Sequence, residues 1–177
     1  VFARPDIYED GTKGTYAEYA AVKEDKLALK PSNVSFEAAA AIPLAGLTAW
    51  QVIVDRLKVK KGDKVLIQAG AGGVGIFAIQ IAKHLGAYVA TTASAKNAEF
   101  LTNLGADEVI DYHERQIGEV LKQYDAVFDT VDDLEAGLAI LKPTGKLITI
   151  AGRPTQAQQD AQPSATSWWI QPHGKQL

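Results

Sequence analysis

Residues 64–85 read KVLIQAGAGGVGIFAIQIAKHL, and they predict three consecutive elements. The run Lys64–Ala69 contains consecutive branched apolar residues, which are typical of a strand covered on both faces. A glycine-rich turn, Gly70–Gly75, follows directly, and apolar residues then recur at helical spacing as far as Leu85. Because this helix is apolar almost all round, we expect it to be buried between layers.

The turn has the G-x-G-x-x-G spacing of dinucleotide-binding sites, and its glycines have separate roles. One lets the chain turn sharply, one removes a Cβ from the path of a diphosphate, and one lets helix and sheet pack closely. Unpaired N–H groups and the positive end of the helix dipole then face the anion. A plain tight turn is the alternative, but the position between strand and helix favours a dinucleotide site. The candidate contacts are Ala71, Gly72, Gly73 and Val74.

The chain after residue 85 alternates between strand and helix patterns. Predicted strands cover residues 88–92, 108–111, 126–131, 146–151 and 166–171, and predicted helices cover residues 95–104, 114–124 and 134–141. Such alternation indicates a parallel sheet with helices on both faces. Polar residues 156–163 are interpreted as a loop. The predicted fold class is therefore α/β, with a doubly wound parallel Rossmann sheet in a dinucleotide-binding domain at residues 31–177.

The first part of the chain has a different pattern. Residues 16–22 and 26–31 predict two short strands without partners in the chain, so we assign residues 1–30 to part of a separate β domain. The chain begins in what resembles the middle of a strand, and we expect it to be a portion of a longer protein.

Two helices are predicted between this β segment and residue 64. Ser35 is a suitable N-cap for the first helix, and we expect Pro43 to end it. The second helix is predicted at residues 44–57, and a charged turn then leads into the strand at Lys64.

The composition is that of a globular protein with one sizeable core. The chain has 177 residues, of which 47% are hydrophobic, and its net charge of −3 gives no electrostatic case for nucleic acid or an anionic membrane. No uninterrupted apolar run approaches the length of a membrane span. The absence of cysteine excludes disulfides and thiolate metal sites in this segment and fits a reducing compartment, so we expect a cytoplasmic location.

Three motifs together resemble one family. The stretch AIPLAGLTA at residues 41–49, the glycine-rich turn at residues 69–75 and LGAD at residues 104–107 are similar to the medium-chain dehydrogenase/reductase superfamily. The resemblance is strongest to its zinc-independent quinone oxidoreductase (ζ-crystallin-like) branch. It implies that residues 1–30 belong to a GroES-like catalytic domain whose remainder, including the C-terminal return, lies outside this chain.

The end of the second Rossmann strand bears on the choice of cofactor. An NAD site usually has an acidic residue there for the ribose hydroxyls, whereas this chain has Thr92, Ser94 and Lys96. Ser94 can donate to a 2′-phosphate, and Lys96 supplies positive charge. A charge-assisted hydrogen bond contributes about 1.5–3 kcal/mol, so we expect NADPH to be preferred over NADH. The alternative is that Ser94 caps the following helix and Lys96 is solvated.

The resemblance implies further cofactor contacts. It places Tyr112 near the adenosine phosphate and Thr48 near the nicotinamide, and it adds Thr130, Ala151 and Gly152 at the ends of later strands. The alternatives are a half-buried loop aromatic for Tyr112 and a helix threonine that bonds its own backbone for Thr48. The family usually has glycines where this chain has Asp132 and Asp133, so we expect a different loop after Val131.

The predicted function is an NADPH-dependent, zinc-free reductase that transfers hydride to a quinone or an α,β-unsaturated carbonyl compound. The first alternative is a non-catalytic NADPH-binding scaffold or redox sensor, since crystallin-like relatives exist. The second is a zinc-type alcohol dehydrogenase, which Leu44 disfavours because it stands near the position of the zinc-ligating cysteine of such relatives. The resemblance also implies a homodimer through the edge strand at residues 166–171, which carries Trp168 and Trp169.

We assign no catalytic residue and no metal ligand from the sequence. The three histidines, His84, His113 and His173, show no ligand spacing. Asp129, Asp132 and Asp133 form an acidic cluster that we interpret as helix-cap and surface charge.

Overall fold

The computed structural model describes residues 1–5 and 14–177, which form two compact units. The first unit comprises Val1–Thr48 and Ile170–Leu177, and the second comprises Ala49–Trp169. The predicted division into domains at residues 1–30 and 31–177 stays a prediction, and part of it, residues 6–13, lies outside the described residues.

The first unit contains a two-stranded antiparallel sheet. Strand β1 (Phe2–Ala3) pairs with β2 (Leu27–Ala28), so the prediction that the early strands have no partner in the chain was wrong. The strand predicted at residues 16–22 was also wrong, because this segment is irregular. Its weak alternation does not correspond to a buried face, since Tyr16 and Tyr19 are both exposed.

Helix α1 (Phe36–Trp50) begins where the sequence indicated, with the Ala38 N–H donating to Ser35 Oγ at 3.2 Å. This hydrogen bond confirms Ser35 as the N-cap. The prediction that Pro43 separates two helices was wrong, because Pro43 lies inside α1. The proline removes one backbone hydrogen bond, and the small residues Ala39 and Ala40 precede it by one turn, where bulky side chains would crowd the ring.

A π-helix, Gln51–Arg56, continues α1, and the Leu57 N–H donates to the Val52 carbonyl at 2.8 Å. The combined segment Phe36–Arg56 has 21 residues and contains an 18-residue window with a mean hydropathy of 1.4, which corrects the expectation that no segment approaches a membrane span. The apolar runs of the sequence are short, but α1 and the π-helix form one continuous helical segment that also contains polar residues such as Gln51. The finding is weak evidence for a membrane helix, because core helices meet the same criteria and 44% of the apolar window is buried within the protein.

The second unit is built on a six-stranded sheet in which every neighbouring pair is parallel. The strands are β3 (Lys64–Ile67), β4 (Tyr88–Ala93), β5 (Glu108–Asp111), β6 (Tyr124–Asp129), β7 (Leu141–Thr149) and β8 (Ala165–Ser167). Their spatial order is β5-β4-β3-β6-β7-β8, which confirms the predicted α/β class and doubly wound sheet. The order reverses between β3 and β6, and ligands of such sheets bind outside the carboxyl ends of the strands at this point.

Helices and apolar side chains cover both faces of the sheet. The helices are α2 (Gly73–His84), α3 (Ala98–Asn103), α4 (Ile117–Val120), α5 (Leu134–Ala139) and α6 (Gln156–Ala161). On one face Ile67 and Phe128 belong to a core cluster with Ile79 of α2. On the other face Leu66 and Val127 pack in a cluster with residues of α4 and α5. Neighbouring strand residues therefore enter opposite cores, as a sheet covered on both faces requires.

Several predicted boundaries need correction. Residues 156–163 were predicted as a loop, but α6 forms there with a capping box between Thr155 and Gln158. The helix predicted at residues 114–124 shrinks to α4, because Leu121 is already extended and both Leu121 and Tyr124 are buried. Strand β8 ends at Ser167, so the two tryptophans that follow it are not on the edge strand.

Replacing Phe128 by alanine tests the core. Phe128 is fully buried at the centre of the sheet, so Phe128→Ala should lower the free energy of unfolding of the full-length protein by about 3–5 kcal/mol. Phe100→Ala is the matched control, because Phe100 lies on α3 and is 48% exposed. Urea denaturation curves measure both variants, and equal losses would contradict this assignment of the core.

Candidate functional site

The glycine-rich turn begins in a conformation that few residues adopt. Ala69 has a φ of 51°, in the left-handed region, and its carbonyl accepts a hydrogen bond from the Gly72 N–H at 2.9 Å. A Cβ on Gly70 would lie 2.1 Å from Thr91 Oγ1, and a Cβ on Gly75 would lie 2.5 Å from the Ala69 carbonyl oxygen. Glycines at these two positions therefore let the turn pack on β4 and let α2 approach the turn, as the sequence predicted.

The outer side of the turn is open. A Cβ on Gly73 would meet no described atom within 4 Å, and Ala71, Gly72 and Gly73 are all exposed. The first backbone hydrogen bond of α2 joins the Ile76 N–H to the Gly72 carbonyl at 3.1 Å, so the N–H groups of residues 73–75 precede the helical ladder. Free amides and unfilled space at a helix N-terminus fit a diphosphate.

Thr92 supports the turn from the neighbouring strand. Its Oγ1 accepts a hydrogen bond from the Ala69 N–H at 2.9 Å, and its carbonyl accepts one from the Gly70 N–H at 3.0 Å. The side chain is buried. The predicted contact between Thr92 and the cofactor stays a prediction, and the structure adds that Thr92 holds the backbone that carries the free amides.

Ser94 and Lys96 lie beyond the end of β4, where the adenosine ribose was predicted. The Ser94 side chain does not cap the 3₁₀ turn Ala95–Asn97, and its Oγ accepts a weak hydrogen bond from Asn97 Nδ2 at 3.4 Å. Lys96 is exposed, and among residues 1–5 and 14–177 no hydrogen bond or ion pair of its ammonium group is seen. Both side chains are therefore accessible to a ligand at this edge.

An acidic residue that the sequence pattern did not indicate, Asp111, also lies at this place. Asp111 ends β5 opposite Ala93 of β4, and its Oδ2 accepts a hydrogen bond from the Ala95 N–H at 3.1 Å. Its Oδ1 accepts another from the His113 N–H at 2.9 Å. The parallel pairing of β4 and β5 could have indicated this residue, because it places the ends of neighbouring strands side by side. The two backbone donors partly offset the negative charge.

Tyr112 follows β5 and presents its ring to solvent. It is 58% exposed, so the alternative of a half-buried loop aromatic stays open, and its ring centroid lies 4.3 Å from that of His113 in a tilted arrangement. The predicted contact with the adenosine phosphate stays a prediction, but the ring is accessible for it.

A hydrogen bond connects the end of β6 to the end of β3. Thr130 Oγ1 donates to the Gln68 carbonyl at 2.8 Å, so this hydroxyl binds the strand that leads into the glycine-rich turn. The Gln68 side chain is also buried, and its Oε1 has no hydrogen-bond partner among the described residues. These contacts join two strands on either side of the point where the strand order reverses.

The loop after β6 contains Asp132, which takes a φ of 64°, in the left-handed region. The expectation that this loop departs from the glycine-containing loop of the family stays a prediction. A Cβ on Gly152 would lie 1.7 Å from Asp132 Oδ1, so the carboxylate fills the space beside the Gly152 backbone. Asp133 caps α5 by accepting from the Ala136 N–H at 3.4 Å, which confirms its predicted cap role.

Asp129 was predicted to carry cap or surface charge, and this was wrong, because it is fully buried. Its Oδ2 accepts a hydrogen bond of 2.5 Å from Thr149 Oγ1 at the end of β7. Thr149 Oγ1 in turn accepts from the N–H groups of Ala151 and Gly152, two predicted cofactor contacts. Neither Asp129 nor Thr149 stood out in the sequence as a residue that organises this edge.

Thr48 lies on α1, in the first unit. Its Oγ1 donates to the Leu44 carbonyl at 2.7 Å, one turn earlier in α1. This is the back-bonding alternative that the sequence left open. The hydroxyl oxygen keeps lone pairs that can accept a further hydrogen bond, so a contact with the cofactor stays a prediction.

Among residues 1–5 and 14–177, no three or more His, Cys, Asp or Glu side chains are placed to hold a metal ion. Leu44, near the position of the relatives' cysteine ligand, is 57% exposed. His84 ends α2, whereas His113 and His173 lie outside helices and strands. The donor set of the described residues therefore does not fit a zinc site.

Displaced pKa values occur at the opposite edge of the sheet, where the strands begin. Burial raises the pKa of Tyr88 and of Tyr124 above the usual range. Burial also raises the pKa of Asp125, but hydrogen bonds from the Lys142 ammonium and the Lys64 N–H outweigh it and hold that pKa below its usual range. These groups stabilise the strand starts and lie away from the glycine-rich turn.

Two glycine substitutions test the geometry of the turn. Gly75→Ala places a methyl group 2.5 Å from the Ala69 carbonyl oxygen and should lower the melting temperature of the full-length protein by several degrees. Gly73→Ala is the matched control, because its methyl group has open space and should leave the melting temperature nearly unchanged. Thermal unfolding followed by circular dichroism measures both. A larger loss for Gly73→Ala would contradict the packing described here.

Similar proteins are oxidoreductases. A chloroplastic NADPH-dependent alkenal/one oxidoreductase of Arabidopsis thaliana is 42% identical over 144 residues, covering 80% of this chain and 37% of that protein. A 2-methylene-furan-3-one reductase of Solanum lycopersicum is 40% identical over 157 residues, covering 85% of this chain and 40% of that protein. The chain thus spans about 40% of the length of these relatives.

A solved structure and a family model agree with these relatives. The quinone oxidoreductase from Coxiella burnetii superposes with a TM-score of 0.83 at 38% identity, covering 91% of this chain and 53% of that chain. The model of the zinc-binding dehydrogenase family matches residues 73–168, which is more than half of the chain. The chain therefore belongs to the zinc-binding dehydrogenase family of the medium-chain dehydrogenase/reductase superfamily.

Proposed function

We propose that the protein containing this chain is an NADPH-dependent reductase that transfers hydride to a quinone or an α,β-unsaturated carbonyl compound without zinc. The observation that carries this proposal is the open turn Ala71–Gly73, with free amides at the start of α2. The names of the similar proteins, reductases of quinones and of alkenal/one compounds, support the class of substrate.

The residues present fit a dinucleotide along the carboxyl edge of the sheet. Residues 71–74 would hold the diphosphate, and Ser94, Lys96 and Tyr112 would hold the adenosine end. Thr130, Ala151 and Gly152 would hold the nicotinamide end. When bound, NADPH supplies the hydride, and the protein contributes orientation and a site shielded from water. No side chain of the chain is assigned to proton transfer.

The preference for NADPH over NADH rests on two accessible side chains. Ser94 and Lys96 can contact a 2′-phosphate, and neither is engaged by a strong hydrogen bond within the described residues. Asp111 opposes this preference, because its carboxylate is bound to the backbone beside Ser94. Two N–H donors already bind Asp111, whereas no acidic partner of the Lys96 ammonium is seen among the described residues, so we expect attraction of the phosphate to prevail.

We also propose a homodimer and a cytoplasmic location, as the sequence suggested. Strand β8 (Ala165–Ser167) is the outermost strand of the sheet, and Trp169, two residues beyond it, is 66% exposed. Pairing of β8 with its copy in a second subunit would extend the sheet and cover this region.

Turnover distinguishes the reductase from the scaffold alternative. Stopped-flow mixing of the full-length protein with NADPH and a panel of quinones and enones should show oxidation of the cofactor by at least one acceptor. Tight binding of NADPH without oxidation would favour the scaffold or redox sensor, and absence of binding would contradict both. Chelator treatment, with metal content measured before and after, should leave turnover unchanged. A proportional loss of zinc and turnover would instead favour the zinc-type alcohol dehydrogenase.

Lys96→Ala tests the choice of cofactor. Because a charge-assisted hydrogen bond contributes about 1.5–3 kcal/mol, the substitution should weaken NADPH binding by about tenfold or more and leave NADH binding nearly unchanged. Isothermal titration calorimetry of the full-length protein measures both dissociation constants.

The matched control is Lys122→Ala. Lys122 is exposed and precedes β6, at the opposite edge of the parallel sheet, so its removal should change neither dissociation constant. Equal weakening of NADPH and NADH by Lys96→Ala would exclude a specific contact with the 2′-phosphate.

A further inference from the structure

We propose that Asp129 and Thr149 form a positioning pair that fixes the backbone of residues 150–152 for the nicotinamide end of the cofactor. The inference rests on the proposed function and deepens it. Both side chains are fully buried, so neither acts by direct contact with a ligand in solution.

Asp129 organises the loop after β6. Its Oδ1 accepts hydrogen bonds from the Val131 N–H at 3.0 Å and from the Asp133 N–H at 3.2 Å. Between these two donors lies Asp132, whose left-handed φ of 64° is uncommon for a residue other than glycine. The buried carboxylate thus stabilises a loop conformation that local preference alone would not select.

Thr149 connects Asp129 to the backbone of the loop after β7. Its hydroxyl donates to Asp129 Oδ2 at 2.5 Å and accepts from the Ala151 N–H at 3.1 Å and the Gly152 N–H at 3.2 Å. One proton and two lone pairs are the full hydrogen-bonding capacity of a hydroxyl. The direction of the Thr149 O–H bond is therefore fixed, because its proton and both lone pairs of its oxygen are already engaged in hydrogen bonds.

The Asp129–Thr149 pair determines which backbone hydrogen-bonding groups of the loop after β7 remain available to a ligand. The Ile150 N–H donates to the Asp129 carbonyl at 3.1 Å, so the N–H groups of residues 150, 151 and 152 all point into the protein. The backbone of this segment is left with carbonyl oxygens, which only accept hydrogen bonds. A carboxamide NH₂ is a donor of the matching kind, and the nicotinamide ring carries one.

The contact between Asp132 and Gly152 gives the same loops a second connection. The Asp132 carboxylate fills the space where a Cβ of residue 152 would lie. The loops after β6 and β7 are thus in contact both through the buried pair and between Asp132 and Gly152.

Thr149→Val tests the pair, because it removes the hydroxyl and nearly conserves the shape. In the full-length protein it should weaken NADPH binding by about fivefold or more, since losing a buried hydrogen-bond partner has an effect of this order. Binding of 2′-phospho-ADP-ribose, the cofactor fragment without nicotinamide, should change less than about twofold. Thr149→Ser keeps the hydroxyl and should restore NADPH binding.

Equal weakening of NADPH and of the fragment would overturn the proposal, because it would indicate a general structural defect. So would an unchanged affinity for NADPH, or Thr149→Ser behaving like Thr149→Val. If the unsubstituted protein binds neither NADPH nor the fragment, the proposed function itself fails, which is a distinguishable result.

A measurement on the unsubstituted protein covers the case in which Thr149→Val does not fold. Amide hydrogen exchange resolved by NMR should show Ala151 and Gly152 protected in the cofactor-free protein, whereas Ala71 in the open turn should exchange rapidly. Exchange of Ala151 and Gly152 as fast as that of Ala71 would overturn the proposal.

Discussion

The close approach of α2 to the turn after β3 is the constraint on which the rest of the site depends. An added Cβ at Gly75 would lie within 2.7 Å of backbone atoms of Ala69 and Gly70, so the helix reaches the sheet only because that atom is missing. The approach brings the start of α2 to the carboxyl end of a central strand. The hydroxyls of Thr91 and Thr92 bind the Ile67 carbonyl and the Ala69 N–H, which holds the turn from the neighbouring strand.

Polar side chains at this edge form hydrogen bonds with the backbone of the protein. The buried Thr92 and the partly buried Thr130 bind main-chain groups of the turn and of the strand before it, and the buried Asp129 and Thr149 bind those of two later loops. At the glycine-rich turn and at the loop after β7, the surface left to a ligand is therefore largely main chain, whereas Ser94, Lys96 and Tyr112 present side chains beyond β4 and β5. Such a surface depends on conformation more than on side-chain identity, which is consistent with this chain sharing its fold with relatives at about 40% identity.

Local pattern was sufficient for the order of the six strands and of the helices between β3 and β7, because strands such as β3, β4 and β6 are rich in apolar residues and are followed by turn residues. It was insufficient where distant packing overrode it, as at Pro43 inside α1 and at Leu121, which is extended and buried where a helix was expected. The capping box of α6 is visible in the sequence as Thr155 and Gln158, but the polar composition of residues 156–163 favoured the interpretation as a loop.

The candidate site was predictable where its contacts are local in the sequence, and not where they join distant residues. The roles of Gly70 and Gly75 follow from spacing, since strand, turn and helix are contiguous in the chain. The hydrogen bond between Asp129 and Thr149 joins residues 20 positions apart, and the one between Ala95 and Asp111 joins residues 16 positions apart. Contacts of this kind depend on strand order, which a one-dimensional pattern does not contain.

The open turn and the exposed Lys96 would attract an anion through different groups, backbone dipoles in the turn and a full positive charge on Lys96. We therefore expect salt to weaken the two interactions to different extents. Main-chain amides at Gly73–Gly75 are fixed dipoles without counterions, whereas an exposed ammonium group is surrounded by a mobile ion atmosphere with a Debye length of about 8 Å at physiological ionic strength. If Lys96 contacts the 2′-phosphate and the turn binds the diphosphate, as proposed, rising ionic strength would weaken the contact with the 2′-phosphate before it weakens the contact with the diphosphate. Concentrated salt would then reduce the difference between NADPH and NADH binding more than it reduces dinucleotide binding itself.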